Sequence, residues 1–304
     1  MLRKSLLYLS RQKRLRHWME QSPLSRKLTA RFVAGRTLED EVRVIQKLAS
    51  ENILATLDFL GENVTSLTEA AGSRDTYLAA LRELEAKRLP ATVSLKLTQF
   101  GLDLSEEACL NNVGELVECA RQSGSGVEID MEGSEYTDRT LRIVHGLNDR
   151  HPGCVRAVIQ AYLHRSQEDI QELSARGIPV RLCKGAYREP AAIAYPGKAE
   201  VDRNYVQLMK LLLDSGSRPA IASHDEKIVR TALAHVRQNR IPPDRFEFQM
   251  LYGIRRDLQR ELVTKGYRLR LYIPYGDAWY PYFMRRLAER PANLLFLARN
   301  LIRS

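Results

Sequence analysis

Eight short, β-branched apolar runs separated by longer amphipathic stretches predict an α/β fold of the (β/α)8 barrel type over about 250 residues. Two further features agree. The runs begin 22–40 residues apart, the length of a strand–helix unit. Polar side chains also collect where the runs stop, which is where barrel enzymes keep their chemistry. A doubly wound open sheet has a similar rhythm, but it seldom needs eight consecutive units. No glycine-rich GxGxxG follows the first run, which counts against a dinucleotide site of that kind.

Taken in order, residues 1–50 lack strand patterns and read as an N-terminal helical segment, with apolar residues at helical spacing in 25–33 and 37–49. Thr37-Leu-Glu-Asp opens the second of these with a capping box. The barrel is expected over 51–304. Its strands are predicted at 53–60, 91–97, 127–131, 155–160, 179–183, 219–223, 246–250 and 268–273. Helices are predicted between them at 73–87, 105–123, 137–149, 166–176, 202–215, 226–238 and 255–265. No internal repeat is visible.

The 304 residues are 44% hydrophobic and 28% charged, with only 17 Gly and 12 Pro. Collagen-like, low-complexity and disordered classes are excluded, and the chain can bury a core without staples. Cys109, Cys119, Cys154 and Cys183 show no CxxC spacing, so neither a zinc site nor a disulfide framework is expected, and a reduced, cytoplasmic chain is the plain reading. The net charge is +10. Part of it sits at the N-terminus, where Arg3, Lys4, Arg11, Lys13, Arg14 and Arg16 face only Glu20. The apolar run at 6–9 is too short for a signal peptide, and no run is long enough to span a bilayer. An ordinary solvated helix face is the first reading of this segment, and a patch for an anionic membrane surface is the second. No aromatic-interleaved basic motif supports nucleic-acid binding.

The strand ends carry Asp58, Lys96, Asp130, Gln160, Arg181 with Lys184, Ser223 with His224, Gln249 and Tyr272. Polar groups inside a parallel strand are costly unless they meet partners or a ligand. One or two could be ion pairs of the barrel core, but eight successive ends point to a site. Beyond the last strand, Trp279, Tyr280, Tyr282 and Phe283 precede Arg285, Arg286 and Glu289. Arginine forks suit a carboxylate, so aromatics beside paired arginines read as a pocket for a small apolar acid.

The sequence resembles the monofunctional bacterial proline dehydrogenases. The resemblance is carried by SLKLTQFGLD (94–103), EIDMEGSEYTD (128–138), VIQAYLHRS (158–166), VRLCKGAYREP (180–190), ASHDEKIV (222–229), FEFQMLYG (246–253) and YIPYGDAWYPYFMRRLAERPAN (272–293). These lie in order along proposed strands two to eight, from about residue 90 to the C-terminus. The resemblance implies a distorted (β/α)8 barrel with FAD at its C-terminal face. Lys96, Arg285 and Arg286 would bind the proline carboxylate. Tyr272 and Leu251 would line the ring pocket, and Glu289 would hold an arginine beside the substrate. Asp130 and Arg181 would belong to the catalytic region. Met131, Gln160, Arg181, Lys184, Gly185, Ala186, Ser223 and His224 would contact FAD. The family often has Thr where Ser223 stands, and Ser keeps the hydroxyl. Cys183, commonly aliphatic there, would pack as a small hydrophobe.

Other readings of single residues are weaker. Ser223-His224-Asp225 is consecutive, whereas hydrolase triads converge in space. Lys184 could form a Schiff base as in barrel aldolases, but it sits in a Gly turn suited to close backbone approach to a ligand. Asp130 and Glu132 could share a metal, but neighbouring cations favour ion pairing, and no metal is expected. The activity implied is oxidation of L-proline to Δ1-pyrroline-5-carboxylate, by hydride transfer to flavin N5, with electrons passed to a membrane quinone. The chain is too short to hold the aldehyde dehydrogenase module of bifunctional relatives, so a separate pyrroline-5-carboxylate dehydrogenase is expected downstream. A polyanion-binding barrel without catalysis would rest on net charge alone.

Overall fold

The computed structural model describes residues 32–61 and 64–289 together with Gln12, and for 285–289 the backbone course alone. The basic segment 1–20 and the helix expected over 25–33 fall outside the described residues, apart from Gln12, Phe32 and Val33.

Helix α1 (Leu38–Ser50) starts at the capping box: Thr37 Oγ1 accepts from Asp40 N at 3.3 Å, and the Asp40 carboxylate accepts from Thr37 N at 3.4 Å. Its Ile45 and Leu48 join the barrel core. Eight strands follow and close into a parallel barrel in sequence order. They are β1 (Leu54–Phe59), β2 (Ala91–Lys96), β3 (Val127–Asp130), β4 (Val155–Gln160), β5 (Val180–Cys183), β6 (Ala220–Ala222), β7 (Glu247–Leu251) and β8 (Leu269–Tyr275). Closure comes from β1 against β8, in register from Leu54 opposite Arg270 to Phe59 opposite Tyr275.

The intervening helices are α2 (Leu67–Ala86), α3 (Glu106–Gln122), α4 (Thr137–Arg150), α5 (Ser166–Ala175), α6 (Lys198–Ser215), α7 (Glu226–Gln238) and α8 (Arg256–Thr264), and α9 (Trp279–Glu289) follows β8. Two of them start earlier than the sequence reading placed them. Helix α2 begins at Leu67 rather than 73, because Ser66 Oγ caps Glu69 N at 3.2 Å while the Glu69 carboxylate takes Thr65 N at 2.6 Å. Helix α6 begins at Lys198 rather than 202, because Glu200 reaches back to Gly197 N at 3.1 Å. Both are satisfied helix starts, worth more than the loss of propensity at the small or polar residues that follow.

Strand side chains alternate between faces. Leu57, Val93, Leu95, Ile129, Leu182, Phe248 and Leu271 pack outward into the main hydrophobic core. Glu128 with Asp130, Ser94 with Lys96, Glu247 with Gln249 and Arg270 with Tyr272 occupy the other face, where they meet across the barrel.

Candidate functional site

At the C-terminal ends of the strands, four side chains from four strands converge. Asp130 Oδ1 accepts from Arg181 Nη2 at 2.6 Å and from Ser94 Oγ at 3.1 Å, while Oδ2 accepts from Tyr272 OH at 2.9 Å. Arg181 Nη2 also donates to Ser94 Oγ at 2.7 Å, and its guanidinium lies 5.4 Å from the Tyr272 ring centroid. Arg181 and Ser94 are buried at 3% and 0% exposure, whereas Asp130, Tyr272 and Lys96 keep some exposure. The cluster therefore has a closed floor and an open rim. Burial opposes the Arg181 charge, but Asp130 and Glu128 outweigh it and hold the guanidinium above its usual range. Desolvation and the Asp130 charge push the Tyr272 hydroxyl well up, so it stays a donor. Lys96 stands in register with Asp130 on the neighbouring strand.

Beneath this cluster lies a second layer of charge that the sequence reading did not resolve. Glu247 Oε1 accepts from Arg156 Nη1 at 2.5 Å and from Arg270 Nε at 2.8 Å. Glu128 lies 3.4 Å from Arg181 Nε and 3.6 Å from Arg156 Nη1, and it accepts from Thr92 Oγ1 at 2.9 Å. Gln249 Nε2 donates to Glu128 at 3.0 Å and to Glu247 at 2.8 Å. Gln249 thus belongs to this interior network and not to the mouth where the sequence reading put it. Burial opposes ionisation of Glu128 and Glu247, yet Arg181, Arg156 and Arg270 hold the Glu128 carboxyl below the usual range, and Arg270 and Arg156 do the same for Glu247.

The expected cofactor residues occupy the next strands. Gln160 ends β4 and donates from Nε2 to Met131 O at 3.0 Å. His224 Nε2 accepts from Leu251 N at 2.8 Å, which places the proton of the neutral ring on Nδ1 and leaves Nε2 unable to serve as a base. That removes the hydrolase reading. The Ser223 hydroxyl accepts from Asp225 N at 3.1 Å. Lys184 Nζ lies 2.5 Å from Asp202 and 3.0 Å from Asp225. Both carboxylates hold the amine in ion pairs, which leaves it no open approach to a carbonyl, so the aldolase reading goes as well. Gly185 has φ 109°, and a Cβ there would collide with the Tyr162 ring. The close approach expected at this glycine is made by a tyrosine of the chain itself. Ala186 is exposed on the same loop. Glu132 accepts from Thr98 N and Oγ1 at 3.2 and 2.8 Å, and Asp130 is paired with Arg181, so the two acids have separate partners. Among the described residues no three His, Cys, Asp or Glu cluster as a metal set.

Trp279, Tyr280, Tyr282 and Phe283 correct an expectation. They are buried to 6% exposure or less and pack with Phe32, Val33, Leu60, Ile254 and Met284, with Leu251 against them. Their spacing serves to seat α9 on the barrel, and they do not stand as an open wall. The helix carries Arg285, Arg286 and Glu289, whose side chains lie outside the described residues.

A family model described as "Proline dehydrogenase" matches residues 41–299. The chain belongs to the proline dehydrogenase family. It is 41% identical to Proline dehydrogenase 1 of Bacillus subtilis subsp. natto over 303 residues, a coverage of 100% of each chain. It is 38% identical to the proline dehydrogenase of Deinococcus radiodurans over 283 residues, 91% of this chain and 90% of that one. Among solved structures, proline utilization A (PutA) from Bdellovibrio bacteriovorus inactivated by N-propargylglycine superposes with a TM-score of 0.80 at 27% identity. That match covers 86% of this chain, which spans 32% of the PutA chain. The eight-stranded barrel agrees with that family.

Membership of the proline dehydrogenase family implies a flavin cofactor. The mouth of the barrel fits one: Gln160 Oε1 is buried with no donor among the described residues. A buried acceptor left alone costs about 1–3 kcal/mol, and a flavin ring carries an N–H able to satisfy it.

Proposed function

We propose that this chain oxidises L-proline to Δ1-pyrroline-5-carboxylate at the C-terminal mouth of the barrel, with FAD as its flavin. The observation that carries this reading is the hydrogen-bonded Asp130–Arg181–Tyr272–Ser94 cluster in a chain of the proline dehydrogenase family. FAD would be held by Met131, Gln160, Arg181, Lys184, Gly185, Ala186, Ser223 and His224, and when bound it accepts a hydride from the ring carbon beside the substrate nitrogen.

The remaining work falls to the chain. Lys96, Arg285 and Arg286 bind the substrate carboxylate, with Glu289 holding an arginine in place. Three cations on one carboxylate fix which ring face is presented, and this is the orientation part of the barrier. Tyr272 and Leu251 bound the apolar ring. Asp130 holds the Tyr272 hydroxyl, and Arg181, paired to Asp130, lies over the Tyr272 ring. The substrate nitrogen must lose a proton. The Asp130 carboxylate is already engaged by Arg181, Ser94 and Tyr272, no side chain is compelled to be the base, and solvent can take the proton.

Electrons then pass to a quinone, and a separate pyrroline-5-carboxylate dehydrogenase takes the product. In this reading 51–304 is one catalytic unit and 1–50 an N-terminal helical segment. The enzyme is cytoplasmic; should its basic N-terminus also meet anionic lipid at the inner face of the membrane, the contact would be worth about 1 kcal/mol per Lys or Arg near the surface. Among the described residues no helix is long and apolar enough to cross a membrane.

The test is the visible spectrum of the purified protein, with its extracted cofactor identified by chromatography. Flavin bands that bleach on anaerobic addition of L-proline, together with FAD in the extract, are expected. A colourless protein, or bands indifferent to proline, would defeat the reading.

A further inference from the structure

The opposite end of the barrel holds a cavity of about 640 Å³, lined by the starts of the strands rather than their ends. Its size is within the range of small-molecule pockets. The charged side chains lining it are Arg88, Arg156, Arg268 and Arg270 against Glu85 and Glu128, four positive against two negative.

These arginines are not equally occupied. Arg270 spends Nε and Nη2 on Glu247 and Nη1 on Ala55 O and Thr92 Oγ1. Arg156 engages its carboxylates through Nη1 alone, so Nε and Nη2 of a largely buried guanidinium have no partner among the described residues. At the rim, Arg88 and Arg268 are exposed and have no ion pair among the described residues. The cavity therefore has a donor edge at its floor and, at its rim beside Glu85, two cations that form no ion pair among the described residues. A multivalent oxyanion could meet both at once, whereas a monovalent one could meet only one.

We propose that this N-terminal cavity binds a small multivalent oxyanion, a polycarboxylate or a phosphate, between Arg156 and the rim cations Arg88 and Arg268. The site is separate from the one assigned to proline oxidation and does not depend on that assignment. Arginine suits it because its planar fork matches carboxylate and phosphate oxygens.

The test is isothermal titration of the flavin-loaded full chain at low ionic strength with citrate, pyrophosphate and acetate in separate runs. Citrate or pyrophosphate should bind at one site per chain, at least tenfold more tightly than acetate, and the arm that binds tighter identifies the chemistry. Binding should weaken with added salt. It should fall at least tenfold in the double variant Arg88→Asn, Arg268→Gln. Asn is chosen because residue 88 has φ 52°, a conformation Asn tolerates. Flavin content and far-UV circular dichroism check that the variant is folded. The single reversal Arg268→Glu repeats the test should the double variant fail that check. Absence of saturable binding overturns the proposal. So does binding that the rim variants leave unchanged, because it would then lie at the other mouth.

Discussion

The upper and lower layers of charge inside this barrel use the same residue types to opposite ends. In the lower layer, Glu128, Glu247, Arg156 and Arg270 are 16% exposed or less, and each acid faces at least two arginines. In the upper layer, Asp130 has one arginine, one tyrosine and one serine, and its rim is open. The lower network spends most of its charge on itself and specifies the fold, leaving only the Nε and Nη2 edge of Arg156 toward the strand starts. An open one has charge to present to a ligand. The difference lies in how many partners the protein supplies, and each layer can be broken separately.

The largest effect is expected in the lower layer. Glu247→Ala would strand Arg156 and Arg270 in the barrel interior with only Glu128 at 3.6 and 3.7 Å. Removing one partner of a buried pair typically costs about 3–5 kcal/mol. Urea denaturation of the flavin-loaded protein should show a loss of that size, and the variant should be depleted in soluble protein. A loss under about 1 kcal/mol would mean that the network is not what holds the strand starts together.

Next comes the upper layer. Arg181→Lys keeps the charge but cannot span Asp130, Ser94 and the Tyr272 ring. We expect kcat/KM for proline to fall roughly ten- to hundredfold, about 1.5–3 kcal/mol, with a smaller loss of stability than Glu247→Ala. Stability falling as far as in Glu247→Ala, with activity per folded molecule unchanged, would assign Arg181 to the lower layer.

The two layers also differ in how far the sequence revealed them. The strands were legible because β-branched runs are local signals, and the mouth residues because a polar residue at a strand end is local too. Asp130, Arg181 and Tyr272 could be singled out one strand at a time. The lower network could not. Glu128 meets Gln249 across 121 residues of sequence, and Arg270 meets Ala55 O only because β8 closes onto β1. A strand expected to stop at 250 puts Gln249 at its mouth end, whereas β7 runs to Leu251 and Gln249 turns into the lower layer. The early start of α2 is written in Ser66-Leu-Thr-Glu69, a capping signal that lies upstream of the apolar spacing placing the helix at 73. The aromatics at 279–283 satisfy a pocket wall and a packed helix face equally well in sequence, and only Phe32, Val33 and Leu60 decide between them.

A carboxylate outside both layers sharpens the comparison by having no cation partner among the described residues. Glu41 on α1 is 0% exposed, and neither carboxylate oxygen has a hydrogen-bond partner among the described residues. Burial, with Asp58 nearby, pushes its carboxyl well above the usual range. The pH consequences are opposite to those of Glu247. Glu247 is held down, so its stabilisation is present above the ordinary glutamate value of about 4.3 and is lost as pH falls through its folded value. Glu41 is held up, so below about pH 4 both states are protonated and nothing is lost. As pH rises above that, the unfolded chain ionises, the folded one does not, and stability declines toward the folded value. Glu41→Met should therefore stabilise the protein by about 1–3 kcal/mol at pH 7 and by less at pH 4. A gain independent of pH would show that packing, and not the unpaired acid, is responsible.

The smallest effect is expected where the layers meet. Ser94 is fully buried on β2, and its hydroxyl accepts from Arg181 Nη2 at 2.7 Å while lying 3.1 Å from Asp130 Oδ1 and 3.3 Å from Glu128 O. It touches the arginine that belongs to both networks, since Arg181 Nη2 pairs with Asp130 above and Nε lies beside Glu128 below. Ser94→Ala deletes one neutral hydroxyl, which accepts from Arg181 and can donate to Asp130 or to Glu128 O, and leaves every ion pair formally intact. Such a bond is worth about 0.5–1.5 kcal/mol, so a two- to tenfold fall in kcat/KM and a stability loss of similar size should appear together. Their ratio is the informative quantity. If Ser94 fixes Arg181 for the mouth, kcat should fall with KM for proline little changed, because the substrate carboxylate is bound elsewhere. If only the denaturation midpoint moves and both kinetic constants hold, Ser94 serves the lower network alone, and the boundary between the layers runs above it.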